Sequence, residues 1–210
     1  MARLGEPSVR EKLHEWIESP ARRVEQLQLT YVPGHRNEEG LRAPEAAQRA
    51  GMRVTDYLCE RLVETKMQMC AMAFQSSVRT EVDMARMMQH PAHVGGSDGI
   101  FSGSRPHPRG SGCFARFLAY HARGDWTWSE AIRHLSGHPA RRFGLRDRGL
   151  IREGMIADIF VFDPGKIQDR ATFDDGSRLA EGVEHVVVNG KLALRDGQVT
   201  GTLAARALSR

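Results

Sequence analysis

The order in which two kinds of hydrophobic periodicity occur constrains this chain most. Through residue 148 short apolar runs alternate with helical patterns, and beyond it only strand-like runs remain. Leu27, Leu29 and Tyr31 alternate in LQLTYVPG until Pro33 and Gly34 stop the pattern, as at a strand end. Helical spacing flanks this run over residues 8–18 and 42–51. Thr55 or Asp56 is placed to cap a third helix that runs to Lys66, with Leu58 and Leu62 on one face. The continuous apolar run MQMCAMAF, residues 67–74, suits a strand covered on both faces. Thr80-x-x-Asp83 is a capping box with Asp in place of Glu and opens a helix through Met88, after which AHVGGSD predicts a further short strand. CFARFLAYHAR and TWSEAIRHL read as two more helices, the second behind a full Thr127-x-x-Glu130 box. Then ADIFVFD and VEHVVVNG, rich in Val, Ile and Phe, are separated by the turn signals Asp163-Pro164, Asn189-Gly190 and Asp196-Gly197. The expected organisation is α/β, with one region over residues 1–148 and a small β domain over residues 149–210.

Composition narrows the function classes. With 40% hydrophobic and 27% charged residues among 210, the chain is globular rather than disordered. A net charge of +4 raises the question of nucleic acid. The arginines, however, are dispersed among acids, cluster only at Arg22-Arg23 and Arg141-Arg142, and lack an aromatic-basic platform, so no nucleic-acid partner is expected. Cys59, Cys70 and Cys113 are widely spaced and odd in number, which argues against a disulfide framework and for a reducing compartment. The charged N-terminal stretch has no apolar h-region, and no run approaches the roughly 20 apolar residues of a membrane span. The expectation is a cytoplasmic protein without a membrane partner.

In α/β architectures functional side chains gather where strands end and loops begin. Asp98, in HVGGSDG, falls at such a place. A lone carboxylate in a glycine-rich turn has three roles open to it: general base, metal ligand, or cap of the following turn. Downstream, GIFSGSRPHPRGSG sets His107, Pro108 and Arg109 close together on a proline-stiffened loop. A fixed arginine grips a carboxylate through its planar donor fork, so Arg109 is a candidate for a substrate that carries one. Equally, His107 can be a satisfied turn histidine and Arg109 a solvated charge. Tyr31, at a strand end, is a further candidate substrate contact. His14, His35 and His90, with Cys59 and Cys70, read as structural. Met84, Met87 and Met88 form a helical packing stripe, and Trp126 and Trp128 anchor the helix that follows them.

Three long passages carry a resemblance. GSDGIFSGSRPHPRGSGCFARFLAYHAR, GHPARRFGLRDRGLIREGMIADIFVFDPGKIQDRATF and GVEHVVVNGKLALRDGQVTG resemble the C-terminal part of N-acyl-D-amino-acid deacylases, the D-aminoacylase branch of the amidohydrolase superfamily. The likeness runs in order from Leu27 to the end. It implies a partial (β/α)₈ amidohydrolase barrel, its last strands and helices, followed by a small β-sandwich-type domain. It also implies hydrolysis of a linear amide in N-acyl-D-amino acids by a zinc-activated water. Asp98 matches the family aspartate that takes a proton from that water and passes it to the leaving amine, and Arg109 matches the arginine of the HPR loop that helps hold the substrate carboxylate. The family's His-x-His pair and metal cysteine have no match in this sequence, and a whole barrel takes about 250 residues. Zinc is therefore expected in the complete enzyme, with no ligand assigned to this chain alone and a separate chain carrying the missing barrel half as a possible partner. A non-catalytic remnant or interaction module, and a relative that opens cyclic amides, are the alternatives.

Overall fold

The computed structural model describes residues 2–19, 24–73, 80–122 and 126–208. The Arg22-Arg23 pair, Phe74 and Arg123 lie outside the described residues. The chain divides into two compact units: residues 1–79, 99–110 and 172–177 form one, and residues 80–98, 111–171 and 178–210 the other.

In the first unit the helices α1 (Pro7–Ile17), α2 (Ala43–Arg49) and α3 (Val54–Glu64) accompany an antiparallel pair, β1 (Leu27–Tyr31) and β2 (Cys70–Ala73). Leu29, Val32, Ala43, Ala47 and Tyr57 close the core, each 1% exposed or less. Three small alanines on α2, at positions 43, 46 and 47, let that helix lie close to its neighbours. Thr55 does not cap α3, which starts one residue earlier behind Arg53. Thr55 is fully buried instead, and its hydroxyl donates to Glu18 Oε1 at 2.8 Å, docking α1 on α3. The helix start shifted because a buried tertiary acceptor was available to that hydroxyl. β2 is not covered on both faces, since Ala71 and Ala73 are exposed. Continuous apolar sequence there reflects small residues rather than a second covering layer.

The second unit contains α4 (Glu81–Gln89), most of α5 (Arg109–Ala122), α6 (Trp128–Ile132), a π-helical stretch over Arg133–Gly137, and α7 (His138–Arg142). Both capping boxes form: Thr80 with Asp83 ahead of α4, and Thr127 with Glu130 ahead of α6. The β tail builds one antiparallel sheet, β3 (Ile159–Phe162), β4 (Val183–Val188), β5 (Lys191–Arg195) and β6 (Gln198–Val199), paired in sequence order. Its two tight hairpins turn through Asn189-Gly190 and Asp196-Gly197 with all four φ angles positive, between 48° and 75°, the geometry that matches strand twist. Met88, Leu118, Trp126, Ala131 and Ile167 form the core. Of the methionine stripe, Met88 is buried and Met84 packs against this core, while Met87 is 60% exposed.

The stretch AHVGGSD forms no strand. A strand is defined by its ladder, and among the described residues no neighbouring strand pairs with it. Its backbone is held by bonds from the His93 N–H to the His90 carbonyl at 2.9 Å and from the Gly95 N–H to the His134 carbonyl at 3.2 Å.

Candidate active site

Within the first unit a cavity of about 230 Å³ opens beside the β1–β2 pair. Thr30 of β1, Cys70 and Met72 of β2, and Ser102, His107 and Arg109 of the following loop contribute to its wall. The loop is seated by contacts that tolerate little change. Gly103 has φ +82°, and a Cβ there would fall on the Thr30 carbonyl oxygen and 2.8 Å from Tyr31 Cβ. Glu39 bridges loop and strand end, accepting from the Ser104 N–H at 2.7 Å and from the Val32 N–H at 3.1 Å. Burial works to raise the Glu39 carboxyl, but the donors of Ser104 and Val32 outweigh it and hold the group below its ordinary range. Arg105 donates to the Asp174 carbonyl and pins the loop's far side.

His107 and Arg109 share a short turn. The Arg109 N–H donates to His107 Nδ1 at 3.1 Å and the Gly110 N–H to the His107 carbonyl at 3.0 Å. The His107 ring meets Phe173 edge-on, with centroids 5.5 Å apart. Arg109 is also the first residue of α5, where the helix dipole favours an anion. The described residues lining this cavity include these two basic side chains and no acidic one. The rest of the wall mixes the hydroxyls of Thr30 and Ser102 with apolar side chains, so the arrangement suits a small molecule with one negatively charged group.

Asp98 lies in the second unit, exposed, with φ +46°. That left-handed conformation costs a non-glycine residue roughly 1–2 kcal/mol, less for aspartate, whose side chain can bond locally. Backbone strain of this kind is concentrated at functional positions. The same unit holds a histidine cluster. His134, 1% exposed, stacks on Trp126 with centroids 5.1 Å apart, and His93 and His138 approach it to 5.4 and 6.2 Å. Burial, reinforced by repulsion from His134 and His138, lowers the pKa of His93 below the usual histidine value. This cluster does not fit a metal ion, because both ring nitrogens of His134 are engaged, Nδ1 on the His93 carbonyl and Nε2 on Arg133. Among the described residues no group of three or more His, Cys, Asp and Glu side chains is placed to hold one.

Tyr31 ends β1, half-buried and opposite Cys70, but its neighbour Thr30 lines the cavity rather than Tyr31 itself. Cys59 is buried, as a small hydrophobe would be, whereas Cys70 is only half-buried and borders the cavity. His14 is buried against Glu18 and Asp56, and His35 bonds Glu64 at 2.8 Å, so both have structural partners. Thr30, Ser102 and Glu39 escaped the sequence reading; only their positions near a strand end and its following loop pointed to them.

The amidohydrolase family model matches residues 55–193, well over half of the chain. The chain belongs to the amidohydrolase family. It is 39% identical to a D-aminoacylase of Alcaligenes xylosoxydans xylosoxydans over 132 residues, covering 62% of this chain and 27% of that protein. Against the N-acyl-D-glutamate deacylase of the same organism it is 32% identical over 176 residues, 83% of this chain and 34% of that one. Its fold matches the crystal structure of N-acyl-D-glutamate deacylase from Bordetella bronchiseptica, complexed with zinc and a phosphonate mimic of the tetrahedral intermediate. The TM-score is 0.72 at 31% identity, over 88% of this chain and 39% of that one. This amidohydrolase therefore spans between a quarter and two fifths of the length of these relatives. Among the described residues no helix is long and apolar enough to cross a membrane.

Proposed function

We propose that this chain is the carboxylate-holding and proton-transferring part of a hydrolase of the N-acyl-D-amino-acid deacylase type. In this reading residues 1–148 supply the last strands and helices of a (β/α)₈ barrel and residues 149–210 a small β domain. The observation that carries the reading is Arg109, held by His107 on the wall of a cavity whose described lining contains no acid. Its guanidinium grips the substrate carboxylate through paired N–H donors, and Tyr31, at the end of β1, is a further substrate contact in this reading. Asp98 takes a proton from the attacking water as its oxygen adds to the amide carbonyl carbon. It returns that proton to the nitrogen as the C–N bond breaks, releasing a carboxylic acid and a free D-amino acid. Zinc, present in the Bordetella structure, belongs to the complete enzyme in this reading. In this reading its ligands come from other polypeptide, in the same chain or a separate one; among the described residues no group of three or more His, Cys, Asp and Glu side chains is placed to hold a metal ion. The free thiols of Cys59, Cys70 and Cys113 support a cytoplasmic setting.

The test is calorimetric binding of N-acetyl-D-amino acids and their methyl esters to the wild type and to Arg109→Met. The ester, and the variant with the free acid, should each bind at least about ten-fold more weakly, the loss of a charge-assisted pair. Equal affinity for acid and ester, or an unaffected variant, would overturn the assignment of Arg109.

A further inference from the structure

Residues 93–98 lead to Asp98 without belonging to any ladder among the described residues. Cys113 of α5 contributes a thiol contact to the Gly96 carbonyl at 3.6 Å, and the π-helical stretch Arg133–Gly137 holds residues 93 and 95. In an α-helix the His134 carbonyl would accept from the amide of residue 138. Here the His138 N–H bonds the Arg133 carbonyl instead, and the next residue, Pro139, has no N–H to offer. The His134 carbonyl is thereby left for the Gly95 N–H, 3.2 Å away.

The side chain of the same residue completes the attachment. His134 Nδ1 lies 2.7 Å from the His93 carbonyl, an acceptor, so this nitrogen carries the proton. Nε2 lies 2.8 Å from an Arg133 nitrogen, which only donates, so Nε2 accepts. The two contacts select the neutral Nδ1–H tautomer, and stacking against Trp126, with 7° between the rings, fixes the ring's plane. Gly95 lets the segment lie flush: a Cβ there would overlap Leu135 Cδ2 and stand 3.3 Å from Phe117 Cε2.

We propose that His134 is a positioning residue for Asp98, its carbonyl and its imidazole standing in for the neighbouring strand that would otherwise fix this segment. The proposal rests on the reading of Asp98 as the proton carrier. His134 acts through backbone: it grips residues 93 and 95, and a shift there is transmitted across Gly96 and Ser97 to the carboxylate.

The experiment is NMR on the full chain, comparing wild type, His134→Asn and His134→Gln. Asparagine places its amide nitrogen where Nδ1 sits, keeping the donor to His93, whereas glutamine places its polar end where Nε2 sits. In the Gln variant the Gly95 amide exchanges about ten-fold faster relative to core amides of α5, and in the Asn variant within about three-fold of wild type. The Asp98 carboxyl carbon shift moves with Gln and returns with Asn. Equal protection in both variants, or a change at Gly95 with none at Asp98, would overturn the proposal. Should the Gln variant fail to fold, the wild-type ring decides: nitrogen shifts showing a proton on Nε2 rather than Nδ1 would refute it. These readouts do not depend on turnover. The role of Asp98 fails separately, if Asp98→Asn leaves hydrolysis by an active form unchanged.

Discussion

Replacing Gly103 with alanine tests how the cavity wall is held. The residue has φ +82°, and its missing Cβ leaves room for the end of β1: a methyl group there would fall on the Thr30 carbonyl oxygen, 2.9 Å from the carbonyl carbon. These are backbone atoms, so no rotamer change relieves the overlap. Gly34 provides the control, because its φ is +84° and a Cβ there meets nothing within 4 Å. Both substitutions carry the left-handed penalty of roughly 1–2 kcal/mol. Only Gly103→Ala adds an overpacking term, about 1–3 kcal/mol when the surroundings resist. Urea denaturation of both variants should therefore show Gly103→Ala less stable by at least about 1 kcal/mol. Where the loop yields rather than the fold, part of that cost reappears as weaker binding of an N-acetyl-D-amino acid, because Ser102, His107 and Arg109 ride on the same loop. Two variants indistinguishable in both stability and binding would refute the packing argument.

Acid should weaken the molecule in two stages. Burial works to raise Glu38, but hydrogen bonds from Arg61 at 2.8 and 2.9 Å and from the Tyr57 hydroxyl at 2.7 Å outweigh it and lower its pKa. A carboxylate depressed in the folded state contributes stability that is present above its unfolded value near 4.5 and lost as pH falls through the folded one, so Glu38→Gln should flatten the acid limb of a stability–pH curve. His93 is a base with a lowered pKa, so the unfolded chain binds its proton first and stability declines as pH drops below 6.5. Amide exchange around residue 93 should rise before the carboxylate transition, and no rise as pH drops below 6.5 would contradict the His93 assignment.

Elements governed by local chemistry were legible in the sequence. The Thr80 and Thr127 capping boxes form as read, because each box satisfies orphan amides within one turn. The Asn-Gly and Asp-Gly turns likewise follow from residues that tolerate positive φ. Thr55 misled because a hydroxyl that suits a cap also suits a buried carboxylate 37 residues away, and only tertiary structure chooses between them. AHVGGSD misled for a related reason: an apolar approach to a glycine turn records the propensity for a strand but not the presence of a partner. At the candidate site, the proline-stiffened loop that places His107 and Arg109 together was legible. The contribution of Thr30, the bridge made by Glu39 and the grip of His134 depend on contacts that no spacing encodes.

In the function proposed above, Arg109 holds the substrate carboxylate, Asp98 carries the proton, and the zinc ligands come from other polypeptide. The most direct measurement is hydrolysis of a panel of N-acetyl-D-amino acids by the purified chain with added zinc, beside Asp98→Asn, with bound zinc quantified after dialysis. The chain by itself is expected to show no turnover and to retain no zinc. Turnover that Asp98→Asn abolishes, with zinc retained, would contradict that expectation and place a complete metal site within these 210 residues.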